Sequence, residues 1–174
     1  ACRWLTRSSG VWACHTPGIG AFADAAIWAG DALPQDAVVL TRKPRHFYVF
    51  SGLTSRTFPF TEDPEEHLAV ADELGAHYVL LDRWDVLARR YVGQAMGRRL
   101  SAYCFLGDFG RSAEARAQLF RILPAGERPA ANPLADTLPE TVVVPRCDDA
   151  PTVLTAPGER YSASLVPLLA RPSS

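Results

Sequence analysis

The chain has 174 residues, is 48% hydrophobic and carries a formal net charge of −1. That length supports one sizeable core, and the near-neutral balance removes the electrostatic footprint of a nucleic-acid-binding protein. No apolar run reaches the roughly 18 residues needed to span a bilayer, and Ala1-Cys2-Arg3-Trp4 is not followed by the apolar core of a signal peptide.

Seventeen of the 18 basic residues are arginine, and Lys43 is the only lysine. With 14 prolines and abundant alanine, this reads as a GC-rich coding bias, so arginine also fills ordinary surface positions. The cysteines are Cys2, Cys14, Cys104 and Cys147, and none forms a C-x-x-C pair of the kind used for zinc or thiol exchange. An even, widely spaced set fits two disulfides in an oxidising compartment, or else four buried thiols in a reduced protein. The first pairing expected is Cys14 with Cys104.

Residues 1–18 read as an irregular segment in which Trp4 and Trp12 cover the domain or a partner. From residue 19 to 33 the apolar positions (Ile19, Phe22, Ala23, Ala26, Ile27, Leu33) have helical spacing, and Pro34 ends the run. Residues 38–40 read as a buried strand that breaks into a basic cluster: Arg42, Lys43, Arg45 and His46. Residues 47–50 fit a helical turn or a strand, and 56–60 read as a second strand. Asp63, Pro64 and Glu66 announce a helix with a capping residue, a proline in its first turn and a capping-box-like partner. Leu68, Ala71 and Leu74 are its buried face, with His67 on its surface and Gly75 as the stop.

Residues 77–81 form the next predicted strand, again ending in charge at Asp82, Arg83 and Asp85. Asp85 is expected to cap a helix reaching about Leu100, and Asp82 to pair with an arginine. Residues 102–106 and 117–123 read as a final strand pair joined by a hairpin loop over 107–116. The alternation predicts a small layered α/β domain over 19–123, with a partly parallel sheet flanked by helices. A proline-rich extension over 124–174 follows, with short edge strands at 141–144 and 153–155 and an apolar anchor at 165–169.

The segments WACHTPG, LPQDAVVLTRKPRHFYVFSG and TEDPEEHLAVADELGAHYVLLDRW, with Trp28 on the helix between the first two, carry a family resemblance. Over residues 11–123 the chain resembles the extracytoplasmic C-terminal domain of bacterial polytopic membrane glycosyltransferases of the protein-mannosyltransferase-like, family-39 type. The R-K-P-R-x-F-Y-x-F-S-G stretch is the most specific part. The resemblance implies a soluble α/β domain on the periplasmic or extracellular face, attached to a membrane body. That body would hold both the lipid-linked sugar donor and the catalytic carboxylate, so this chain would not be catalytic alone. The extension after Leu123 lies outside the resemblance.

The candidate site is the group Arg42, Lys43, Arg45, His46, Asp82 and Arg83, placed at the carboxyl ends of two predicted parallel strands. Arginine there suits bidentate contact with a phosphate or an acidic sugar; a solvated loop or local salt bridges would use the same residues. The aromatic set Phe47, Tyr48, Phe50, Phe58 and Phe60 reads as core in preference to a sugar-stacking platform. Asp108-Phe109-Gly110 matches a kinase tripeptide without the loops that give it meaning. No phosphate-loop, dinucleotide or hydrolase motif occurs, the four histidines lack metal spacing, and no cofactor is expected. The functional expectation is a docking domain that positions an acceptor or covers the active site of a membrane body. The alternative is an accessory subunit packed on another membrane-associated complex. An integral-membrane protein and an anionic glycolipid are the expected partners, and no nucleic acid.

Overall fold

The computed structural model describes residues 17–110 and 116–130, together with Cys147. Helix α1 (Pro17–Ala32) is followed by β1 (Val38–Thr41), α2 (Pro44–Ser51), β2 (Thr54–Thr57), α3 (Pro64–Glu73) and β3 (Tyr78–Asp82). A wide π-helical segment (Ala88–Gly93) then runs directly into α4 (Gln94–Arg98), and β4 (Tyr103–Phe109) and β5 (Ala117–Ile122) form a hairpin. The five strands make one sheet in the order β2-β1-β3-β5-β4. β1 pairs in parallel with both β2 and β3, whereas β5 runs antiparallel to β3 and β4. The fold is therefore α/β with a partly parallel sheet, as the alternation of elements predicts.

Period-two alternation sorts the strand residues onto two cores. Val39, Leu80 and Leu119 join Phe22 of α1 and Phe47 of α2 in one cluster, while Leu40, Val79, Leu81 and Phe120 meet Leu68 of α3 and Met96 of α4 in the other. Phe22, Phe47, Phe58 and Phe120 are each at most 1% exposed, and full burial of one such side chain contributes roughly 1.5–3 kcal/mol. Helices α1 and α2 touch closely: a Cβ added at Gly30 would lie 2.9 Å from Ser51 Cα. Only a residue without a side chain fits that crossing.

The structure decides several local expectations and corrects others. Residues 47–50 belong to helix α2, which Pro44 starts at fixed φ and Gly52 ends in the left-handed conformation at φ 74°. The second strand is Thr54–Thr57 and not 56–60, because Val38 pairs with Thr54 and Thr41 with Thr57. Asp63 does cap α3, its side chain accepting from the Glu65 and Glu66 amides. Leu74, by contrast, is 37% exposed, and His67 is buried with Nε2 2.8 Å from the Thr61 carbonyl. Its charged form is disfavoured chiefly by that burial.

The expected hairpin loop begins later than residue 107. β4 continues through Asp108 and Phe109, which pair with Gln118 and Ala117, after a register shift between Phe105 and Gly107. Such a bulge changes which face the following side chains take, so Asp108 lies on the opposite face from Cys104 and Leu106. Beyond β5, Arg128 reaches back to the Asp72 carboxylate of α3, and Arg99 Nη1 donates to the Pro129 carbonyl at 2.8 Å.

Cys104 is bonded to Cys147 and not to Cys14, with Cα atoms 5.0 Å apart. The Cys147 amide also donates to the Phe105 carbonyl at 3.1 Å, so this residue occupies part of the outer edge of β4. Long-range placement decides the pairing, which cysteine spacing does not encode. Cys2, Cys14, Trp4, Trp12 and the segments 141–144, 153–155 and 165–169 lie outside the described residues. The bond joins positions separated by 43 residues, for which chain entropy gives about 4 kcal/mol of stabilisation. Reduction, or Cys147→Ser, should therefore lower the thermal midpoint well beyond the effect of an exposed substitution. An unreduced peptide map lacking the Cys104–Cys147 cross-link would contradict the assignment.

Candidate functional site

β1 and β3 lie side by side, with Val39 opposite Tyr78 and Leu40 opposite Val79. The chain leaves β1 toward α2 on one face of the sheet and leaves β3 toward the π-helical segment on the other. Diverging connections of this kind open a crevice beyond the carboxyl ends of parallel strands, where open α/β sheets bind ligands. Here β1 delivers Thr41, Arg42 and Lys43 to that edge, and β3 delivers Asp82, Arg83, Trp84 and Asp85.

Asp85 is the hub. Its Oδ1 accepts the Leu87 amide at 2.8 Å, which caps the following helical segment as expected. Its Oδ2 lies 3.5 Å from Arg42 Nε and 3.4 Å from Lys43 Nζ. Charge-assisted N–H···O bonds are commonly ~2.7–2.9 Å, so both cations are held by attraction without a short hydrogen bond. Arg42 Nε is buried and has no hydrogen-bond partner among the described residues.

Aromatic rings flank both cations. The Arg42 guanidinium lies 5.4 Å from the Phe60 ring centre, and Lys43 Nζ 5.2 Å from that of Trp84. Contacts of this kind are worth about 0.5–1 kcal/mol at exposed positions and more where water is excluded. The Trp84 ring also takes edge contacts from His46 and Phe22, each at 5.2 Å. Its backbone is pressed by the first turn of α1, since a Cβ added at Gly18 would come within 3.0 Å of Trp84 N and Cα.

Beneath this layer Asp82 is completely buried. Its Oδ1 accepts the Trp84 amide at 2.9 Å, and its Oδ2 has no hydrogen-bond partner among the described residues. Burial pushes its carboxyl up to about 7; the Trp84 amide opposes the shift, the nearby Asp85 charge adds to it, and Lys43 opposes it weakly. The expectation that Asp82 pairs with an arginine is thus corrected: both cations nearest the edge go to Asp85. Asp82 is held by a backbone amide because it is the last residue of a buried strand.

The remaining predicted site residues are dispersed. His46 reaches the group only through the Trp84 ring, Arg45 is exposed on α2, and the Arg83 amide donates to the Arg116 carbonyl at 3.1 Å. Phe47 and Phe58 are core, as expected, whereas Tyr48 and Phe60 are 59% and 54% exposed. One buried polar group escaped the sequence reading. Asp108 Oδ2 lies 3.2 Å from Arg116 Nε and accepts from Gln118 Nε2 at 3.4 Å. Burial raises the Asp108 carboxyl to about 6, with Arg116 opposing. The only sequence signal was Asp108 and Gln118 standing beside the apolar runs of two strands. Among the described residues, no three His, Cys, Asp or Glu side chains are grouped to hold a metal ion.

Comparison with family models, curated proteins and solved structures finds no match to this chain.

Because the folded carboxyls of Asp82 and Asp108 are raised, each contributes stability that is complete below the ordinary carboxylate range. That contribution is lost as pH rises through about 7 for Asp82 and about 6 for Asp108. Asp82→Asn should flatten this loss, stabilising the protein relative to wild type at pH about 8.5 but little at pH about 4. Denaturant melts at the two pH values measure it, and an equal difference at both would contradict the burial argument.

Proposed function

We propose that this chain is a non-catalytic extracytoplasmic domain of a membrane glycosyltransferase-like protein. In this reading the β1/β3 crevice receives an anionic group, such as the phosphate of a glycolipid, presented at the membrane body. The observation that carries it is Arg42, whose buried Nε lacks a hydrogen bond among the described residues, beside the equally loosely held Lys43. An entering phosphate would supply the short charge-assisted bonds that Asp85 leaves unmade. The resemblance of residues 11–123 to glycosyltransferase C-terminal domains supports the membrane attachment. The Cys104–Cys147 bond fits an oxidising compartment.

The crevice as described is suited to holding a group in preference to transforming it. Asp85 is engaged by a helix cap and two cations, and Asp82 is fully buried and held by the Trp84 amide. The alternative, an accessory subunit of a different membrane-associated complex, draws on Tyr48, Val49 and Val86. These are 59%, 76% and 80% exposed and lie on α2 and just after β3, the two segments that leave the strand ends. They would be contact residues for a protein partner.

Replacing Arg42 and Lys43 together with alanine should weaken binding to vesicles carrying phosphate-bearing glycolipid by tenfold or more, which is about 1.4 kcal/mol or more. Arg45→Ala should have a much smaller effect, and both variants should melt cooperatively. Unchanged binding by the folded double variant would reject the site. The coding sequence upstream of Ala1 separates the two functional readings. A series of membrane spans supports attachment to a membrane body, and a lone signal peptide or anchor supports the accessory subunit.

A further inference from the structure

The charges at the crevice are nearly balanced, and one of them is adjustable. Arg42 and Lys43 contribute two positive charges; Asp85 contributes one negative charge at the surface of the group, and Asp82 lies buried below it. With Asp82 ionised, the four groups cancel. With Asp82 protonated, the group carries a net positive charge. We propose that protonation of Asp82 controls the anion affinity of the β1/β3 crevice, which takes up an anionic group when Asp82 is neutral and releases it when Asp82 ionises. This rests on the anion-binding reading given above and adds a regulator to it.

Three features place Asp82 in that role. It is the last residue of β3, immediately inside the edge that carries Asp85, and it is fully buried, so a charge there is little screened by solvent. Lys43 and Asp85 both interact with it electrostatically, which couples it to one of the proposed ligand-binding cations and to the carboxylate that competes for them. Its Oδ2 makes no hydrogen bond among the described residues, so the proton can be gained or lost there without breaking an existing contact. Burial holds the carboxyl at about 7, so the change of charge falls near neutrality.

The other charged groups around Asp82 do not replace it. The first turn of α1, which packs on the Trp84 backbone, contains no charged residue, and the β5 residue opposite Asp82 is Ala117. Arg116 is paired with Asp108, whose side chain takes the other face of the sheet. Arg83 adjoins Asp82 and keeps its charge throughout the range. His46 is the rival among the described residues, since its imidazole touches the same Trp84 ring as Lys43.

The test is calorimetric titration of the full chain with inorganic sulfate, whose charge is constant across the pH range used. Wild-type affinity should fall about tenfold between pH about 6 and about 8, approaching the limit of one linked proton. Asp82→Asn should bind tightly at both values, and His46→Gln should keep the wild-type dependence. Wild-type binding near neutral pH in buffers of different ionisation enthalpy should also register uptake of a fraction of one proton, a readout independent of any variant. Binding of equal strength at both pH values, no proton uptake, or pH dependence that survives in Asp82→Asn would overturn the regulation while leaving the anion site standing. Absence of sulfate binding in both wild type and Asp82→Asn would overturn the anion site itself, and the regulation with it.

Discussion

The parallel pairing of β1 with β3 is the constraint on which the rest of this molecule depends. Neither strand carries a recognisable site alone; each is a short apolar run that ends in charge. Once Val39 and Leu40 lie against Tyr78 and Val79, the two charged ends must meet at one edge. The connections then leave on opposite faces, which keeps α2 and the π-helical segment from closing over that edge. The shared edge follows from topology, and the residue types follow from the strand termini.

The energetics of the edge do not resemble those of a stabilising network. The Arg42, Lys43 and Asp85 side chains are 30%, 29% and 16% exposed, and ion pairs in such partly solvated settings contribute only ~0–1 kcal/mol each. Asp82 is unfavourable in its ionised form, because it is completely buried with one oxygen unpartnered among the described residues. Local departures from the rules that otherwise govern a chain concentrate at functional sites, and in the described residues the β1/β3 edge is one such place. The Asp108, Gln118 and Arg116 group is another, on the opposite face of the sheet beyond the β4 bulge.

Away from the edge, the chain is held by contacts remote in sequence. Arg128 returns to Asp72, Arg99 bridges Glu65 and the Pro129 carbonyl, and Cys147 binds both the sulfur of Cys104 and the backbone of Phe105. These ties fix Arg128, Pro129 and Cys147 against α3, the end of α4 and the outer strand β4. An edge strand otherwise exposes unpaired backbone groups that invite association, and the Cys147 amide satisfies one of them.

By itself the sequence determined the succession of elements: apolar runs of strand length, helical spacing over α1, and the Asp63-Pro64 start of α3 are local signals set by backbone sterics and capping. It also determined that positive charge follows β1 and negative charge follows β3. Residues 47–50 were ambiguous because so short an aromatic run satisfies either period; the Pro44 start, the Gly52 stop and packing of Phe47 in the α1 core make them helix. Burial of Asp82, the shared hub at Asp85, the partner of Cys104 and the face taken by Asp108 are tertiary outcomes. Each depends on which strands become neighbours or on a one-residue bulge, and pairing between distant segments leaves no mark in local spacing. The edge after β1 was legible as a place where charge gathers; what the charges do to one another was decided only when β3 came to lie beside it.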